Sequence, residues 1–332
     1  MAGLVIFTGA NSSLGVHAAS HLLQQYPGYT VVFTVRDASK SDANTEKLRK
    51  TIAQFPSSQA SIHGLDLASL AATHEFADNI VSGIQTVKYP RIAAIVGNAY
   101  YWNLVGDPEL TVDGYDKTFQ VSHISHSALV LRLLGSMADT GRIVLLSSDA
   151  HWPGKNAMEK YPPSIPTDLD SLVKPTVDDD KQGRGYQRYA TAKLAVTTWM
   201  HALNQHLEKD PALRGITAVA INPGNLVDSR ALSTNTPKSL VITQKIVYKP
   251  LLPVLRLIMG PTLRTAAPAG TDVVDLALNP KFSSDRGFFT LLDKDESSPE
   301  SQDSSKQSIL WAQTLKWAKI TKENTALQSA FE

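Results

Sequence analysis

Short apolar runs recur along the chain and alternate with longer stretches in which apolar residues return every three or four positions. The short runs are typical of buried strands, and the longer stretches are typical of amphipathic helices. Seven segments fit strands: 3–8, 30–35, 60–66, 92–97, 142–146, 216–221 and 287–292. Five clear segments fit helices: 15–25, 43–54, 69–86, 114–138 and 187–208.

The order of these segments predicts the fold class. The strands are apolar throughout, which indicates a parallel sheet covered by helices on both faces. Strand–helix alternation from residue 3 onward predicts an α/β, doubly wound Rossmann fold of about seven strands. No internal repeat interrupts it, so we predict a single domain over 1–332. The polar stretch 294–308 is predicted to be a surface loop before a last helix, within a C-terminal extension over 294–332.

Composition narrows the class of protein. A formal charge of +1 over 332 residues lacks the basic excess of nucleic-acid-binding proteins. The absence of cysteine excludes disulfides, thiolate metal sites and cysteine nucleophiles, and it suits a cytoplasmic chain. The first apolar run lacks a basic flank and ends in a glycine turn, so we interpret it as a strand and not as a signal peptide. No His, Asp and Glu spacing is typical of a metal site, and no metal is predicted.

The turn after the first strand reads TGANSSLG, residues 8–15. Gly9 permits a tight turn and Gly15 permits close packing of helix on strand, so that the helix N-terminus faces a pyrophosphate. Ser13 stands where the dinucleotide-binding fingerprint has its middle glycine. A simple strand-to-helix turn remains the alternative.

The end of the second strand bears on which dinucleotide would bind. An acidic residue there would select NAD, but Val35 holds that place and Arg36 follows it. Arg36, with Lys40 nearby, could pair with a 2′-phosphate, which predicts NADP(H). The alternative is a solvated arginine at a strand end.

The stretch YQRYATAK, residues 186–193, places Tyr189 and Lys193 one helical turn apart on the same face. Taken alone, such a pair more often marks a solvated helix face than a reacting pair. The motifs at the other strand ends decide between the two.

Together these motifs make the chain resemble a short-chain dehydrogenase/reductase from residue 3 to about 320. The motifs, each at the end of a predicted strand or on the following helix, are TGANSSLG at 8–15, Asp66–Leu67, Asn98–Ala99, Ser147–Ser148, YATAK at 189–193 and Pro223–Gly224. The segment TVDGYDKTFQVSH is similar to the retinol dehydrogenase, protochlorophyllide reductase and 3-ketosteroid reductase branches. The lack of cysteine weakens the protochlorophyllide reductase interpretation.

The resemblance implies roles for individual residues. Tyr189 would donate a proton to a carbonyl oxygen, Lys193 would lower the pKa of that phenol and hold the nicotinamide ribose, and Ser148 would share the charge on the oxygen. We expect Ser148 and not Ser147 to fill that place. The residues expected to contact the cofactor are Gly9, Asn11, Ser12, Ser13, Leu14, Gly15, Arg36, Lys40, Asp66, Leu67, Asn98, Ala99, Tyr189, Lys193, Pro223, Gly224, Leu226 and Ser229.

Three positions depart from the family pattern. Ser13 replaces a glycine, and its small side chain still permits close approach. Tyr100 replaces the glycine that follows Asn98–Ala99, which puts a large ring beside the cofactor. Ser122 replaces the fourth catalytic residue, an asparagine that anchors the water linking the lysine to solvent, and its shorter reach puts this proton relay in question.

Several residues near these motifs are expected to shape the pocket. Tyr100, His151, Trp152 and Tyr186 are predicted to line the substrate pocket, with packing as the alternative for Tyr186. His123 and His126, on the helix behind the site, are interpreted as packing residues.

The segment 237–263 follows the sixth strand, where the family keeps its lid. Its apolar residues exceed what one packed face needs. We weigh an ordinary core helix first, a lid over a large apolar substrate second, and shallow membrane attachment through Lys245, Lys249 and Arg256 third.

These expectations combine into one functional hypothesis. It is the NADPH-dependent reduction of a ketone or aldehyde on a bulky apolar molecule, such as a polyketide, terpenoid, alkaloid or steroid-like intermediate of secondary metabolism. The first rival is a non-redox cyclase or isomerase on the same scaffold, and the second is a regulatory sensor of NADP(H). The expected partner is a small molecule and not a nucleic acid, and a homo-oligomer is left open.

Overall fold

The computed structural model describes residues 2–331. Within them the strands are β1 (Leu4–Phe7), β2 (Thr30–Val35), β3 (Gln59–Gly64), β4 (Ile92–Gly97), β5 (Met137–Leu146), β6 (Thr217–Asn222), β7 (Asn225–Leu226), β8 (Leu263–Arg264), β9 (Gly287–Thr290) and β10 (Asp293–Asp295). The α-helices are α1 (Ser13–Gln25), α2 (Ala43–Ala53), α3 (Leu70–Gln85), α4 (Lys117–Phe119), α5 (Ser125–Leu133), α6 (Asp170–Val173), α7 (Lys181–Lys209), α8 (Lys238–Thr243), α9 (Leu252–Met259), α10 (Ala266–Leu278), α11 (Pro299–Gln302) and α12 (Ser304–Trp317).

Eight strands form one sheet in the order β10–β9–β6–β5–β4–β1–β2–β3. Neighbours pair in parallel throughout, except that β10 turns back antiparallel on β9. The predicted doubly wound sheet of seven parallel strands is therefore confirmed, and β10 adds a short eighth strand. The two remaining strands, β7 and β8, pair with each other outside this sheet.

Two apolar layers enclose the sheet. On one face, α1 and α10 cover the central strands, with Leu22, Val273 and Phe33 fully buried between them. On the other face, α3, α5 and α7 form the larger cluster, into which α12 inserts Trp311 against Trp199 at 5.7 Å between ring centroids. Strands β1, β2 and β6 are buried at every position, as their unbroken apolar runs predict.

The predicted helix 114–138 differs from the observed one. The helix begins at Lys117, widens into a π-helical turn over Gln120–Ile124, and continues as α5. Its end is displaced because β5 starts at Met137, earlier than the apolar run at 142 suggests. The π-helical turn contains Ser122, so the irregularity lies at a predicted site residue.

The segment 294–308 is not a surface loop, so that prediction is wrong. Ser297, Ser298 and Ser301 are buried, and the segment contains β10, α11 and the start of α12. The ring nitrogen Nε2 of His201 lies 2.8 Å from Ser297 Oγ. The polar composition suggested solvent, but the Ser297 hydroxyl bonds His201 of α7 and the Ser298 backbone N–H donates to His151 in the loop after β5.

Candidate active site

The turn after β1 has the geometry that its glycines predict. Gly9 adopts φ +63°, and a Cβ there would lie 2.9 Å from the Cα of Ala99. A Cβ on Gly15 would lie 2.6 Å from the carbonyl oxygen of Ala10, so α1 starts pressed against the turn. Ser12 caps α1 by accepting a hydrogen bond from the Gly15 N–H at 2.9 Å. The first turn of α1 carries no acidic side chain, which leaves its N-terminus open to an anion.

The Asn98 side chain holds this turn in place through hydrogen bonds to its backbone. Its Nδ2 donates to the carbonyl oxygens of Thr8 at 2.9 Å and Gly9 at 3.0 Å, and its side chain is 3 % exposed. The amide nitrogen of Asn98 is therefore committed to the backbone of the turn, and the contact of Asn98 with the cofactor stays a prediction. His126 adds a second support, with Nε2 2.8 Å from Thr8 Oγ1.

Of the other residues around the turn that were predicted to contact the cofactor, some are exposed and some are buried. Arg36, Lys40 and Asp66 are exposed at the ends of β2 and β3. Leu14 and Leu67 are buried in the apolar layers, so only their backbone atoms remain for a ligand.

Asn11 links the turn to the start of α2. Its Nδ2 donates to Thr45 Oγ1 at 2.9 Å and to Asp42 Oδ1 at 3.3 Å. The Asp42 carboxylate, in turn, caps α2 through the Thr45 N–H at 2.7 Å. The Asn11 side chain therefore holds the turn against α2, on the side where Arg36 leaves β2.

Arg230 is a residue of this region that the sequence analysis missed. Its guanidinium donates to the carbonyl oxygen of Asn11 at 2.5 Å, and its backbone N–H donates to Ser13 Oγ at 3.1 Å. Ser13, the replacement for the middle glycine, thus bonds to the segment that follows β7. The absence of acidic residues from 229 to 271 could have drawn attention to Arg230 as a candidate anion ligand.

The segment after β6 contributes the remaining predicted contacts. Gly224 adopts φ +86°, and the carbonyl oxygen of Pro223 accepts from Arg264 Nε at 2.8 Å. Leu226 lies in β7, and Ser229 Oγ accepts from the Ala231 N–H at 3.2 Å. β7 and β8 therefore hold together the two ends of the chain segment 227–262, which contains the predicted lid.

Tyr189 lies within a group of aromatic rings. The ring centroids of Trp102, Tyr100 and Tyr186 are 5.4, 5.8 and 6.0 Å from that of Tyr189. Burial is the largest of the causes that raise the pKa of the Tyr189 phenol, and the neighbouring Tyr100 adds to it. A hydrogen bond with Ser148 acts in the opposite direction and lowers that pKa.

The two serines at the end of β5, Ser147 and Ser148, have different partners. Ser147 Oγ lies 2.7 Å from Thr197 Oγ1, turned into α7. Ser148 Oγ faces the Tyr189 phenol and donates to Asp149 Oδ1 at 2.9 Å. The structure therefore places Ser148, as predicted, and not Ser147 beside Tyr189. It also adds Asp149, which no sequence motif had singled out.

Lys193 lies below the same rings. Its ammonium nitrogen is 5.7 Å from the Tyr189 ring centroid and 5.2 Å from that of Tyr100, and it donates to the carbonyl oxygen of Leu146 at 2.6 Å. Burial lowers the pKa of Lys193 to about 7. The predicted lowering of the Tyr189 pKa by this cation is not what the structure shows, because burial dominates the pKa of both groups.

Ser122 lies at the π-helical turn of the neighbouring helix. Its side chain is 3 % exposed, and its Oγ has no hydrogen-bond partner among residues 2–331. Its carbonyl oxygen lies 3.2 Å from His126 Nδ1. The pKa of His126 falls to about 4, first through burial, so the ring is neutral.

His151 does not line the pocket, which corrects the prediction. Its ring is 1 % exposed, Nδ1 lies 2.6 Å from the Ser148 carbonyl oxygen, and Nε2 accepts from the Ser298 N–H at 3.0 Å. The ring is enclosed because the C-terminal extension covers it, a contact over 147 positions that no local pattern reveals. Trp152 is half-buried and Tyr186 is 2 % exposed, so Tyr186 packs behind Tyr189.

An apolar cluster covers Tyr189. It consists of buried Trp102, Leu104, Ala150, Tyr186 and Ala190, against which Met158, Tyr189, Ala231, Leu232 and Leu240 pack. Leu240 belongs to α8, so this helix packs against the same cluster as Tyr189. Gln244 anchors it, with Nε2 donating to the carbonyl oxygens of Val227 at 2.8 Å and Ser229 at 2.9 Å. The core-helix interpretation of 237–263 is wrong, because neither α8 nor α9 contains a buried residue.

Residues 2–331 contain neither a metal-binding cluster nor a membrane-spanning helix. No group of three or more His, Asp or Glu side chains there is arranged to hold a metal ion. None of the described helices has the length and apolar character needed to cross a membrane.

Comparison with known proteins identifies the family. Residues 3–164 match the family model of the short chain dehydrogenases, and residues 230–327 match that of the AcuH dehydrogenase domain. The dehydrogenase acuH of Aspergillus aculeatus is 46 % identical over 95 residues, which cover 29 % of this chain and 96 % of that protein. The short-chain dehydrogenase iccH of Talaromyces variabilis is 29 % identical, with 98 % of each chain covered.

A solved structure shows the same fold. The short chain dehydrogenase of Burkholderia cenocepacia, crystallised with NADP, superposes with a TM-score of 0.59 at 18 % identity, covering 88 % of this chain and 96 % of that one. The sheet order, the glycine turn and the matched family models agree. The chain belongs to the short-chain dehydrogenase/reductase family of oxidoreductases.

Proposed function

We propose that the protein uses NADPH to reduce a ketone or aldehyde on a bulky, largely apolar small molecule, with Tyr189 as the proton donor. The observation that carries this proposal is the arrangement of three groups at one end of the sheet. The Ser148 hydroxyl acts on the Tyr189 phenol by lowering its pKa, the Lys193 ammonium lies 5.2 and 5.7 Å from the ring centroids of Tyr100 and Tyr189, and Tyr189 packs against an apolar cluster. Polyketide, terpenoid, alkaloid and steroid-like ketones have the required bulk and apolar character.

The residues present fit a nicotinamide dinucleotide. The turn around Gly9 and Gly15 leaves no room for side chains at those two positions, and the N-terminus of α1 opens at the same place. Backbone N–H groups at a helix N-terminus are suited to a pyrophosphate. Arg230 brings a guanidinium to the turn through its bond to Asn11, so we propose it as an additional pyrophosphate ligand.

The choice between the two nicotinamide dinucleotides rests on the end of β2. Arg36 is exposed there and Val35, the residue at the acidic position, is buried and neutral. Nothing at that position would attract a ribose hydroxyl by accepting its hydrogen bond, while Arg36 and Lys40 could pair with a phosphate. The NADP seen in the Burkholderia protein of the same fold agrees with this preference.

Cofactor preference can be measured directly. We expect NADPH to bind the wild type more tightly than NADH, and Arg36→Ala to remove roughly one to two decades of that preference, because a charge-assisted bond contributes about 1.5–3 kcal/mol. Calorimetric titration of both cofactors provides the measurement. Lys47→Ala, an exposed cation on α2, is the matched control and should leave the preference unchanged. Equal affinities in the wild type would contradict the assignment.

Side chains of this protein can supply the proton that the reduction requires. The bound nicotinamide would supply hydride to the carbonyl carbon, and the oxygen would then need a proton. The Tyr189 phenol, whose pKa is raised by burial, keeps its proton at neutral pH and can give it to an alkoxide, which is a much stronger base. The Ser148 hydroxyl would help to hold the oxygen after turning its hydrogen from Asp149.

The apolar cluster against which Tyr189 packs is an argument for a large apolar substrate. Trp102 contacts the Tyr189 ring, and Leu232 and Leu240 pack against the same cluster. Both leucines belong to the segment whose ends β7 and β8 join. A segment anchored at its ends and at Gln244, whose helices α8 and α9 contain no buried residue, can move as a lid. We therefore assign 237–263, and α8 in particular, as the lid over the substrate.

Ser122 is the position on which the choice between the reductase and the non-redox rival depends, because it replaces the asparagine of the proton relay. A reductase must return a proton from solvent to Tyr189 in each turnover, whereas a cyclase or isomerase needs no net supply. The Ser122 hydroxyl is buried without a partner, so it can hold one water molecule between Lys193 and solvent. This supports a working relay.

The relay makes a measurable prediction. We expect Ser122→Ala to lower the rate of ketone reduction by no more than about tenfold, or about 1.4 kcal/mol in barrier, and Ser122→Asn to leave it unchanged or raise it. Ser127→Ala is the matched control, because the Ser127 hydroxyl on α5 is also buried without a partner. The assay follows product and reduced nicotinamide together. Product formed without consumption of NADPH would favour the rival.

A further inference from the structure

The outer face of α9 is apolar and exposed. Leu251, Val254, Leu257 and Ile258 are 48 %, 55 %, 87 % and 78 % exposed. Their spacing of three, four and seven positions places them on one side of the helix, while Leu252 and Leu255 are half-buried. Ile242 and Ile246, in the preceding helical segment, are 56 % and 67 % exposed. These six exposed residues are called the α9 face below.

Basic side chains accompany this face. From Ser229 to Thr271 the sequence contains no Asp or Glu, although the whole chain has nearly equal numbers of basic and acidic residues, 32 and 31. The exposed cations of the segment are Lys238, Lys245, Lys249 and Arg256. Within residues 2–331 none of these four forms an ion pair. The local charge is therefore uncompensated.

We propose that the α9 face docks the protein on an anionic lipid surface, with the four cations at the headgroups and the apolar side chains in the outer part of the acyl region. A short helix with an apolar side and flanking Lys and Arg residues is suited to lie in the plane of such an interface. Each Lys or Arg near an anionic leaflet strengthens binding by roughly fivefold.

Charge argues against a second copy of the chain as the occupant. Two α9 faces brought together would place eight like charges around one contact, with no acidic side chain from 229 to 271 to compensate them. The substrate is not the occupant either, because the part of the lid that packs into the cluster with Tyr189 is α8, through Leu240, and not α9. An anionic bilayer compensates the charge and buries the apolar side chains at the same time.

The position of this face suits the proposed reaction, although it does not depend on it. α8 and α9 belong to one segment, in which α8 packs against the cluster that contains Tyr189 and α9 turns apolar groups outward. A protein docked in this way would have its lid at the membrane surface, where apolar substrates accumulate.

The experiment measures flotation of the full-length protein with vesicles of phosphatidylcholine alone and of phosphatidylcholine mixed with phosphatidylserine. We expect the wild type to float with the mixed vesicles, and high salt to weaken this binding. The double variant Leu257→Ser/Ile258→Ser should abolish it. The triple variant Lys245→Gln/Lys249→Gln/Arg256→Gln should weaken it by roughly two decades, from about fivefold per charge.

Two controls keep the result specific. Val112→Ser/Val177→Ser removes apolar residues that are 86 % and 68 % exposed elsewhere, and it should bind vesicles like the wild type. Calorimetric NADPH binding of every variant checks the fold independently of lipid. Failure of the wild type to float, or equal loss of binding in the Val112→Ser/Val177→Ser control, would overturn the proposal. So would a wild-type dimer that Leu257→Ser/Ile258→Ser converts to a monomer without any vesicle binding.

Discussion

Tyr189→Phe should lower ketone reduction by roughly 10²–10⁴-fold, the contribution typical of a positioned general acid. NADPH binding should change little, because the phenyl ring can keep its contacts with Trp102 and Tyr100 at 5.4 and 5.8 Å between centroids. The measurement combines steady-state oxidation of NADPH in the presence of candidate ketones with calorimetric binding of the cofactor.

Tyr186→Phe is the matched control, since it removes the same atom from the same face of α7. The Tyr186 hydroxyl is buried without a partner among the described residues, so its loss should leave activity unchanged and stability equal or higher. A wild-type rate of NADPH oxidation in Tyr189→Phe would show that the phenol is not the proton donor. Product formed without NADPH oxidation would support the non-redox rival.

Lys193→Met should lower activity and raise stability at the same time. Burial lowers the Lys193 pKa from 10.5 to about 7, so the folded protein carries a penalty for the charged ammonium. Removing the ammonium should raise the free energy of unfolding at neutral pH by on the order of a few kcal/mol. The loss of its hydrogen bond to the Leu146 carbonyl oxygen should offset about 1 kcal/mol of this increase in the free energy of unfolding.

The pH dependence has a definite sign. Below about pH 7 both states bind the proton and the penalty is complete, whereas between about pH 7 and pH 10.5 only the unfolded state binds it. The wild type should therefore become more stable relative to Lys193→Met as pH rises through this window. Denaturant unfolding at several pH values measures the difference, with the exposed Lys47→Met as control. A variant less stable than the wild type at every pH would contradict the prediction.

The predicted parts of the fold are those that depend on local pattern. The largely apolar runs of β1, β2 and β6 identified fully buried strands, because a strand covered on both faces favours apolar side chains. The buried polar positions in them are mainly threonines. Strand boundaries were less accurate where a strand continues in polar residues, as β5 does from Met137 to Arg142. β7 and β8, of two residues each, are too short to leave a pattern.

The location of the motifs at strand ends also predicted which side chains would lie together at one edge of the sheet. Because the ends of parallel strands meet at that edge, the motifs at Gly9, Ser148 and Tyr189 were expected to converge, and the glycine turn and the Ser148–Tyr189 contact have that arrangement. The orientation of each side chain was harder to predict. Asn98 faces the turn and His151 faces Ser298, because each finds its hydrogen-bond partners in remote backbone.

The amino-acid sequence by itself determined the order of strands and helices, the glycine turn and the spacing of Tyr189 and Lys193, because strand runs, turn chemistry and helix periodicity act over a few residues. Only the tertiary structure decided which polar and ionisable groups are shielded from water. Burial of Lys193, the closure of His151 by the C-terminal extension and the outward turn of α9 depend on segments far apart in the chain. Desolvation is a property of the assembled surroundings, and no local pattern of residues contains it.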